Sequence, residues 1–337
     1  MKPGGFPERD WRGRLGRGLF LAGAALLLAT VTPPGPRPPP PGPGEAVILA
    51  APVPLDPGDP RRRRVGALRF VEGWSLTSAD DRFGGLSGLH VEAGAVTAVS
   101  DVGVVMRFPL PTARATLPVR FDPLVDGPGP RTRKSNRDSE AMAVGGGRLW
   151  VLFERTNMVW RYDRDTLRAR SAARPAGLSR RGGNRGTEGM AALADGRFLI
   201  FLEGPDDDRP FSGAVLVAGD PSVPGTPATR LRYRRPVGYR ATDAAALPDG
   251  RVLVVNRRFR LLEGISARLV VLDPARIGEG GTLAGREIAR LEAPLTVDNM
   301  EAVSVTRENG RTIVWLASDD NFSPLQRTLL MKFELVE

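Results

Sequence analysis

Ser139-Glu140-Ala141-Met142-Ala143-Val144, then Gly145-Gly146-Gly147, then Arg148-Leu149-Trp150-Val151-Leu152-Phe153-Glu154 sets the pattern of this chain. An acid opens an apolar strand, a tight turn follows, and a second apolar strand ends on another acid. The order returns as Thr187-Glu188-Gly189-Met190-Ala191-Ala192 before Arg197-Phe198-Leu199-Ile200-Phe201-Leu202-Glu203. It returns again as Thr242-Asp243-Ala244-Ala245 before the run 251–256, and as Met300-Glu301-Ala302-Val303 before the run 311–319. A weaker copy comes first, Leu86-Ser87-Gly88-Leu89 before the run 95–101. Ser87, Glu140, Glu188, Asp243 and Glu301 lie 53, 48, 55 and 58 residues apart, near the length of one four-stranded propeller blade.

The turns fit that reading. Asp195-Gly196, Asp249-Gly250 and Asn309-Gly310 separate the two apolar runs of their copies, and Gly145-Gly146-Gly147 does so in the second. Asn-Gly and Asp-Gly pairs suit the type I′ turn of a two-residue hairpin. Two further strands can be read after each of the middle hairpins, for example 158–162 and 169–172 in the second copy. The last copy has only one, 329–335, and the run 67–74 supplies its missing fourth strand. Second strands such as 149–153, 198–202 and 313–317 are apolar on successive residues. That is the signature of strands covered on both faces, where an open sandwich would alternate. The expected fold is therefore all-β, a five-bladed β-propeller over 65–337 closed by an N-terminal strand in the last blade, with a six-bladed ring as the alternative. Closure of this kind removes exposed sheet edges.

The first 64 residues have a different composition. Arg9, Arg12, Arg14 and Arg17 precede the apolar run 19–31, the layout of an export signal. Thirteen residues fall short of the roughly 20 that span a bilayer, so 1–31 reads as an export signal or a short membrane anchor. Residues 32–64 are rich in Pro and Arg and read as an extended linker. The expected location is periplasmic, or tethered to the outer face of the inner membrane through 19–31. The N-terminal 64 residues carry ten Lys+Arg against five Asp+Glu, half of the total net charge of +10. The remainder is nearly balanced, and no nucleic-acid module is present. A monomer is expected.

Absences narrow the chemistry. With no Cys and one His, thiol nucleophiles, thiolate metal sites and His-rich metal sites are excluded. Gly85-Leu86-Ser87-Gly88-Leu89 lacks the final Gly of a nucleophile elbow, and His90 reads as a hydrogen-bonded structural residue. Carboxylates and Arg remain. Paired strands run antiparallel, so the start of each first strand lies beside the end of the second. This predicts the neighbours Glu140 and Glu154, Glu188 and Glu203, Asp243 and Asn256, Glu301 and Asp319, Ser87 and Asp101, all on one mouth of the channel. Arg137, Arg155 and Arg257 lie close by in sequence. So many like charges on one mouth need neutralising, and oxygen-rich clusters suit Ca²⁺.

The motifs Gly84-Gly85-Leu86-Ser87-Gly88-Leu89, Asp138-Ser139-Glu140-Ala141-Met142, Phe153-Glu154-Arg155, Glu188-Gly189-Met190 and Asn299-Met300-Glu301-Ala302 resemble the phytase-like, "esterase-like activity of phytase" domain of exported bacterial proteins. The resemblance covers about 65–337. It implies a β-propeller with phosphatase or esterase activity, and calcium and phosphate bound by acids and basic side chains. The leading expectation is an exported, metal-dependent hydrolase of phosphate or carboxylic esters acting on a small anionic or ester substrate. Glu140, Glu188, Asp243 and Glu301 would hold the metal, with Glu154, Glu203 and Asp319 as catalytic acids beside them. Arg137, Arg155, Arg257 and Asn256 would bind the substrate. The alternatives are a non-catalytic periplasmic binding or scaffold propeller and a lactonase-type propeller.

Overall fold

The computed structural model of the chain describes residues 42–130, 133–178, 186–204, 209–278 and 280–336. The expected export signal or anchor, 1–31, and most of the Pro-rich part of the linker lie outside the described residues. Three strands come first: β1 (Gly44–Pro52), β2 (Arg64–Val65) and β3 (Leu68–Thr77). Four antiparallel strands follow, β4 (Leu86–Glu92), β5 (Ala95–Ser100), β6 (Val104–Pro109) and β7 (Ala115–Pro123). The next sheet is β8 (Ser139–Gly145), β9 (Arg148–Phe153), β10 (Met158–Asp163) and β11 (Ala169–Ala173). The third is β12 (Thr187–Ala192), β13 (Phe198–Leu202), β14 (Phe211–Val217) and β15 (Ala228–Arg234). The fourth holds β16 (Arg240–Ala246), β17 (Val252–Arg260) and β18 (Gly264–Leu272); β19 (Thr282–Leu283) leaves to pair with β15, and β20 (Gly285–Leu291) completes the set. Last come β21 (Met300–Glu308), β22 (Arg311–Ser318) and β23 (Thr328–Leu335), whose outer neighbour is β3.

The first strands of these five sets pack side by side in a closed circuit, β4 to β8 to β12 to β16 to β21 and back to β4. That circuit around a central axis makes the molecule a β-propeller. The sequence-level reason is visible in β17, where Val252, Leu253, Val254 and Val255 are all fully buried. Alternate residues of this strand face the two neighbouring sheets, and each buried side chain contributes about 1.5–3 kcal/mol. At one joint between sheets Trp150 packs against Phe198 at 5.1 Å.

Closure departs from expectation in one respect. β3 does complete the last sheet, but residues 44–52, read from composition as linker, form the strand β1. It pairs antiparallel with β3 on one side and with β7 on the other, so it stitches the outer edges of the last and first sheets together. Side chains of the segment 44–52 alternate between inward and outward faces, with Val47 and Leu49 exposed and its own Ile48 and Ala50 buried. Both available edges satisfy its backbone groups, which a solvated linker would leave to water.

The hairpin turns also divide into two kinds. Asn309 and Gly310 both have positive φ, the type I′ geometry. At Asp195-Gly196 and Asp249-Gly250 only the glycine does. There the Asp carboxylate accepts the N–H of Arg197 or Arg251, at 3.1 and 3.0 Å. The turn is then longer, closed by Leu193 N–H to Arg197 O and Leu247 N–H to Arg251 O. Local side-chain capping decides between the two.

Candidate functional site

Each first-to-second strand pairing carries a β-bulge at the same place, the end away from the hairpin turn. Ser139 faces Phe153 and Ala141 faces Leu152, leaving Glu140 bulged. The same slip isolates Ser87, Glu188 and Glu301. In the fourth sheet Ala241 faces Asn256 and Asp243 faces Val255, so Thr242, not Asp243, is the bulged residue. A bulge re-aims one side chain out of the ladder, and here it turns Glu140 and Glu188 into the mouth.

The residue after each second strand completes the pattern. Asp101, Glu154, Glu203 and Asp319 donate their backbone N–H to the carbonyls of Gly85, Asp138, Gly186 and Asn299 at 2.8–3.0 Å. By register the fourth sheet offers Arg257 at this position. The expected pairing of Asp243 with Asn256 is thus displaced by one residue on both strands. Asn256 is fully buried; it accepts the Tyr233 hydroxyl at 3.1 Å and donates to the carbonyls of Val254 and Arg268. Its bonds to Tyr233 and Arg268 tie it to the neighbouring strands.

Two overlapping groups of carboxylates meet at the mouth. Oxygens of Asp138, Glu140 and Glu154 lie within 4.8 Å of one another, and so do those of Glu154, Glu188 and Glu203. All five residues are partly exposed. Glu154 belongs to both groups, and its path depends on Gly186: a Cβ there would sit 1.9 Å from Glu154 Cγ. The site therefore joins two expected metal ligands, Glu140 and Glu188, with two expected catalytic acids, Glu154 and Glu203. Asp138 was missed by sequence reasoning. Its signal in the sequence is its place at the head of the motif Asp138-Ser139-Glu140-Ala141-Met142.

Glu301 and Glu203 are held by cations. Arg257 Nε lies 2.9 Å from Glu301 Oε1, and Arg240 pairs with Glu203. Arg240 faces Arg257 across the β16–β17 ladder, so two guanidinium groups mark the fourth-sheet side of the mouth. Arg155 pairs with Asp138 at 3.1 Å on the rim. Arg137 is elsewhere engaged: it is buried and donates to the carbonyls of Leu124, Val125, Gly129 and Asn136. It organises the loop after β7, which makes it unsuited to gripping an anion.

Electrostatics separates the acids further. Burial and the charge of Glu188 push the Glu140 carboxyl well above its usual range, with Asp138 and Glu154 adding to the effect. Burial and the charges of Glu301, Glu203 and Glu154 do the same to Glu188, against the pull of Arg257. Glu154 is raised by burial, Asp138 and Glu203. Asp319 is raised by burial and by Asp101 and Glu301; its Oδ1 accepts the Asn321 N–H at 2.7 Å. Glu301 rises by burial, moderated by Arg257.

Asp243 lies one step deeper. At its position the other sheets carry Gly88, Ala141, Gly189 and Ala302, small residues that let the first strands approach. A Cβ on Gly189 would lie 2.8 Å from Asp243 Cα. The Asp243 carboxylate crosses to the next sheet, where Oδ2 accepts the Val303 N–H at 2.9 Å, and Oδ1 makes no hydrogen bond. Its ionised form is disfavoured by burial and favoured by nearby backbone N–H groups, and burial prevails. Asp243 is thus a cross-strand tie below the carboxylate groups and belongs to neither of them. On the turn side of this layer a void of about 150 Å³ is lined by His90, Met142 and Met190 among others. His90 Nε2 is 3.7 Å from Glu92 Oε2 and makes no hydrogen bond, so the expected hydrogen bond is not formed. Burial depresses its pKa.

The sequence pattern of a family described as "Phytase-like: Esterase-like activity of phytase" matches residues 81–322. No curated protein sequence gives a match. Among solved structures, the chain is similar to a glutaminyl cyclase from Myxococcus xanthus, at 12% identity and a TM-score of 0.47, over 80% of this chain and 97% of the other. A gluconolactonase from Xanthomonas campestris gives 15% identity and a TM-score of 0.43, over 88% and 99% of the two chains. A calcium-binding regucalcin from Agrobacterium tumefaciens gives 12% and 0.40, over 75% and 91%.

Proposed function

The chain belongs to the phytase-like family (esterase-like activity of phytase), and on that premise we propose that its mouth hydrolyses phosphate or carboxylic esters of small anionic substrates with a divalent cation, Ca²⁺ first. The observation that carries this reading is the pair of carboxylate groups sharing Glu154, whose members repel one another and raise one another's pKa. Five oxygen donors with no thiolate or imidazole beside them suit a hard cation with loose geometry. Asp138, Glu140, Glu154, Glu188 and Glu203 would hold it. Such a cation polarises an ester oxygen and lowers the pKa of water when bound.

The chain's own residues supply the rest. Arg257 and Arg240, already aimed at the acids by Glu301 and Glu203, present planar donor forks that fit a phosphate or carboxylate. Arg155 extends the same reach from the rim. Asp319 lies outside both carboxylate groups, and burial together with Asp101 and Glu301 raises its pKa, the direction of shift that suits a general base. With Oδ1 held by Asn321, its Oδ2 would take the proton from attacking water.

The test is turnover of a generic phosphomonoester and a short acyl ester by the full chain, with calcium and with chelator, alongside calorimetric titration of calcium. Calcium-dependent turnover of either ester supports the proposal. Calcium binding without turnover, on cyclic esters as well, would replace it with the binding-propeller reading. Turnover unchanged by chelator would end the metal reading.

A further inference from the structure

The sheet at the fourth position is longer than its neighbours at the mouth end. β16 begins at Arg240, opposite Arg257, yet β17 and β18 remain paired for three more residues, until Arg260 faces Gly264. At about 3.3 Å per residue, the hairpin extends roughly 10 Å beyond the level of Arg257. Its tip is apolar. Leu262 is 97% exposed, and Phe259 and Leu261 are about half exposed. The base is braced: Arg258 pairs with Glu263, and Arg258 and Arg268 both lie over the Tyr239 ring at 4.7 and 4.6 Å. The Tyr239 hydroxyl meets Ser266 Oγ at 2.9 Å. Two leucines held out in water on a rigid support are an interaction feature, since a flexible loop could fold them back. Val125, Val237 and Leu325, each at least half exposed, lie on other loops of the same end.

Chain direction gives a second, independent observation. β1 is antiparallel to β7, and Gly44 faces Phe121, near the mouth end of that strand. β1 therefore begins at the same end of the propeller as the apolar hairpin. The sequence before β1 holds the apolar run 19–31 and the Pro-rich run 32–43. Arg257 pairs with Glu301 and Arg258 with Glu263, while Arg260 is exposed directly beside Leu261, at the level where anionic headgroups would meet the tip.

We propose that the β17–β18 hairpin docks on an anionic lipid bilayer, with Leu261 and Leu262 inserted among the headgroups. This surface requires no catalytic activity and stands whether or not the mouth hydrolyses esters. Interfacial binding of this kind draws on buried apolar area together with attraction to anionic lipid.

The chain contains no Cys, so single labelled positions can report on it directly. In the full chain, Leu262→Cys would carry an environment-sensitive fluorophore, and Val223→Cys, on the loop between β14 and β15 at the opposite end, would serve as the control. With vesicles of phosphatidylcholine and phosphatidylglycerol, the label at 262 shifts to the blue and is quenched by a lipid-borne quencher; the label at 223 does neither. Adding Leu261→Ser to the labelled 262 variant reduces that quenching, and vesicles of phosphatidylcholine alone give less of it. An aqueous signal at 262 while the protein floats with vesicles would overturn the proposal, and so would failure to float. Equal signals at both positions would also overturn it. A blue shift at 262 that grows with protein concentration without lipid would assign the tip to a second copy of the chain instead.

Discussion

The two ends of the propeller use the same side chains to opposite effect. At the turn end, Asp195 and Asp249 each accept the N–H of an Arg two residues on and pair with its guanidinium. The pKa of both is lowered, chiefly by that Arg side chain. At the mouth end, Glu140, Glu154 and Glu188 face one another, and their pKa values are raised. Local sequence decides the first outcome, because Asp-Gly-Arg closes on itself within three residues. Assembly decides the second, because the acids come from different sheets and meet only when the ring forms. An acid that its own turn pairs with an Arg is satisfied locally; Glu140, Glu154 and Glu188, brought together by the fold, raise one another's pKa even though Arg155 adjoins Glu154.

The largest effect should follow from Glu154→Gln, which removes the one residue common to both carboxylate groups. Calcium affinity, measured by calorimetry, should fall about tenfold or more, and any calcium-dependent turnover should fall with it. Asp195→Asn at the turn end should change neither, which makes it the matched control. Arg257→Ala comes next. It strips the partner from a mostly buried Glu301 and should cost about 1–3 kcal/mol in denaturant unfolding, while weakening capture of an anionic ligand.

Relieving repulsion should have the opposite sign. Glu140→Gln with Glu188→Gln should raise the calcium-free melting temperature near neutral pH and abolish the further rise that calcium gives the unmodified protein. The pH dependence follows from the same shifts. Glu140 and Glu188 bind protons more tightly folded than unfolded, so their contribution to stability is full below their ordinary value of about 4.5 and is lost as pH rises through the raised values. Calcium-free melting temperature should therefore decline from mildly acidic toward neutral pH, and saturating calcium should flatten that decline. The smallest expected effect is at Asp249→Asn, an exposed pair that salt largely screens; a melting temperature that moved more than in the Glu140 and Glu188 double variant would break the comparison between the two ends.

Much of this was legible beforehand for reasons tied to particular residues. The repeat of small-acid pairs, Ser139-Glu140 and Thr187-Glu188, placed the strands, and antiparallel pairing separated the turn end from the mouth. Glu140 beside Glu154 and Glu188 beside Glu203 followed directly. Asp138 and Arg240 were not visible as site residues, because neither stands at a repeated position. Arg137 and Asn256 read as substrate ligands, yet both are consumed by buried polar groups of the backbone and of Tyr233. Burial of that kind is a property of neighbours that sequence spacing does not reveal.

The sequence by itself determined the all-β ring, the polarity of its two ends and the presence of a carboxylate-rich mouth, since these depend on hydrophobic period and on strand direction. The tertiary structure alone decided which acids belong to the mouth. In four sheets the bulge falls on the repeated position, and in the fourth sheet of the chain it falls on Thr242, one residue earlier than the alignment of Asp243 implies. A slip of one residue sends every side chain to the other face of a strand. That single step turns Asp243 into a buried tie to Val303 and places Arg257 where the other sheets hold an acid. The cation in the ring of acids is there because of register, which only the paired strands fix.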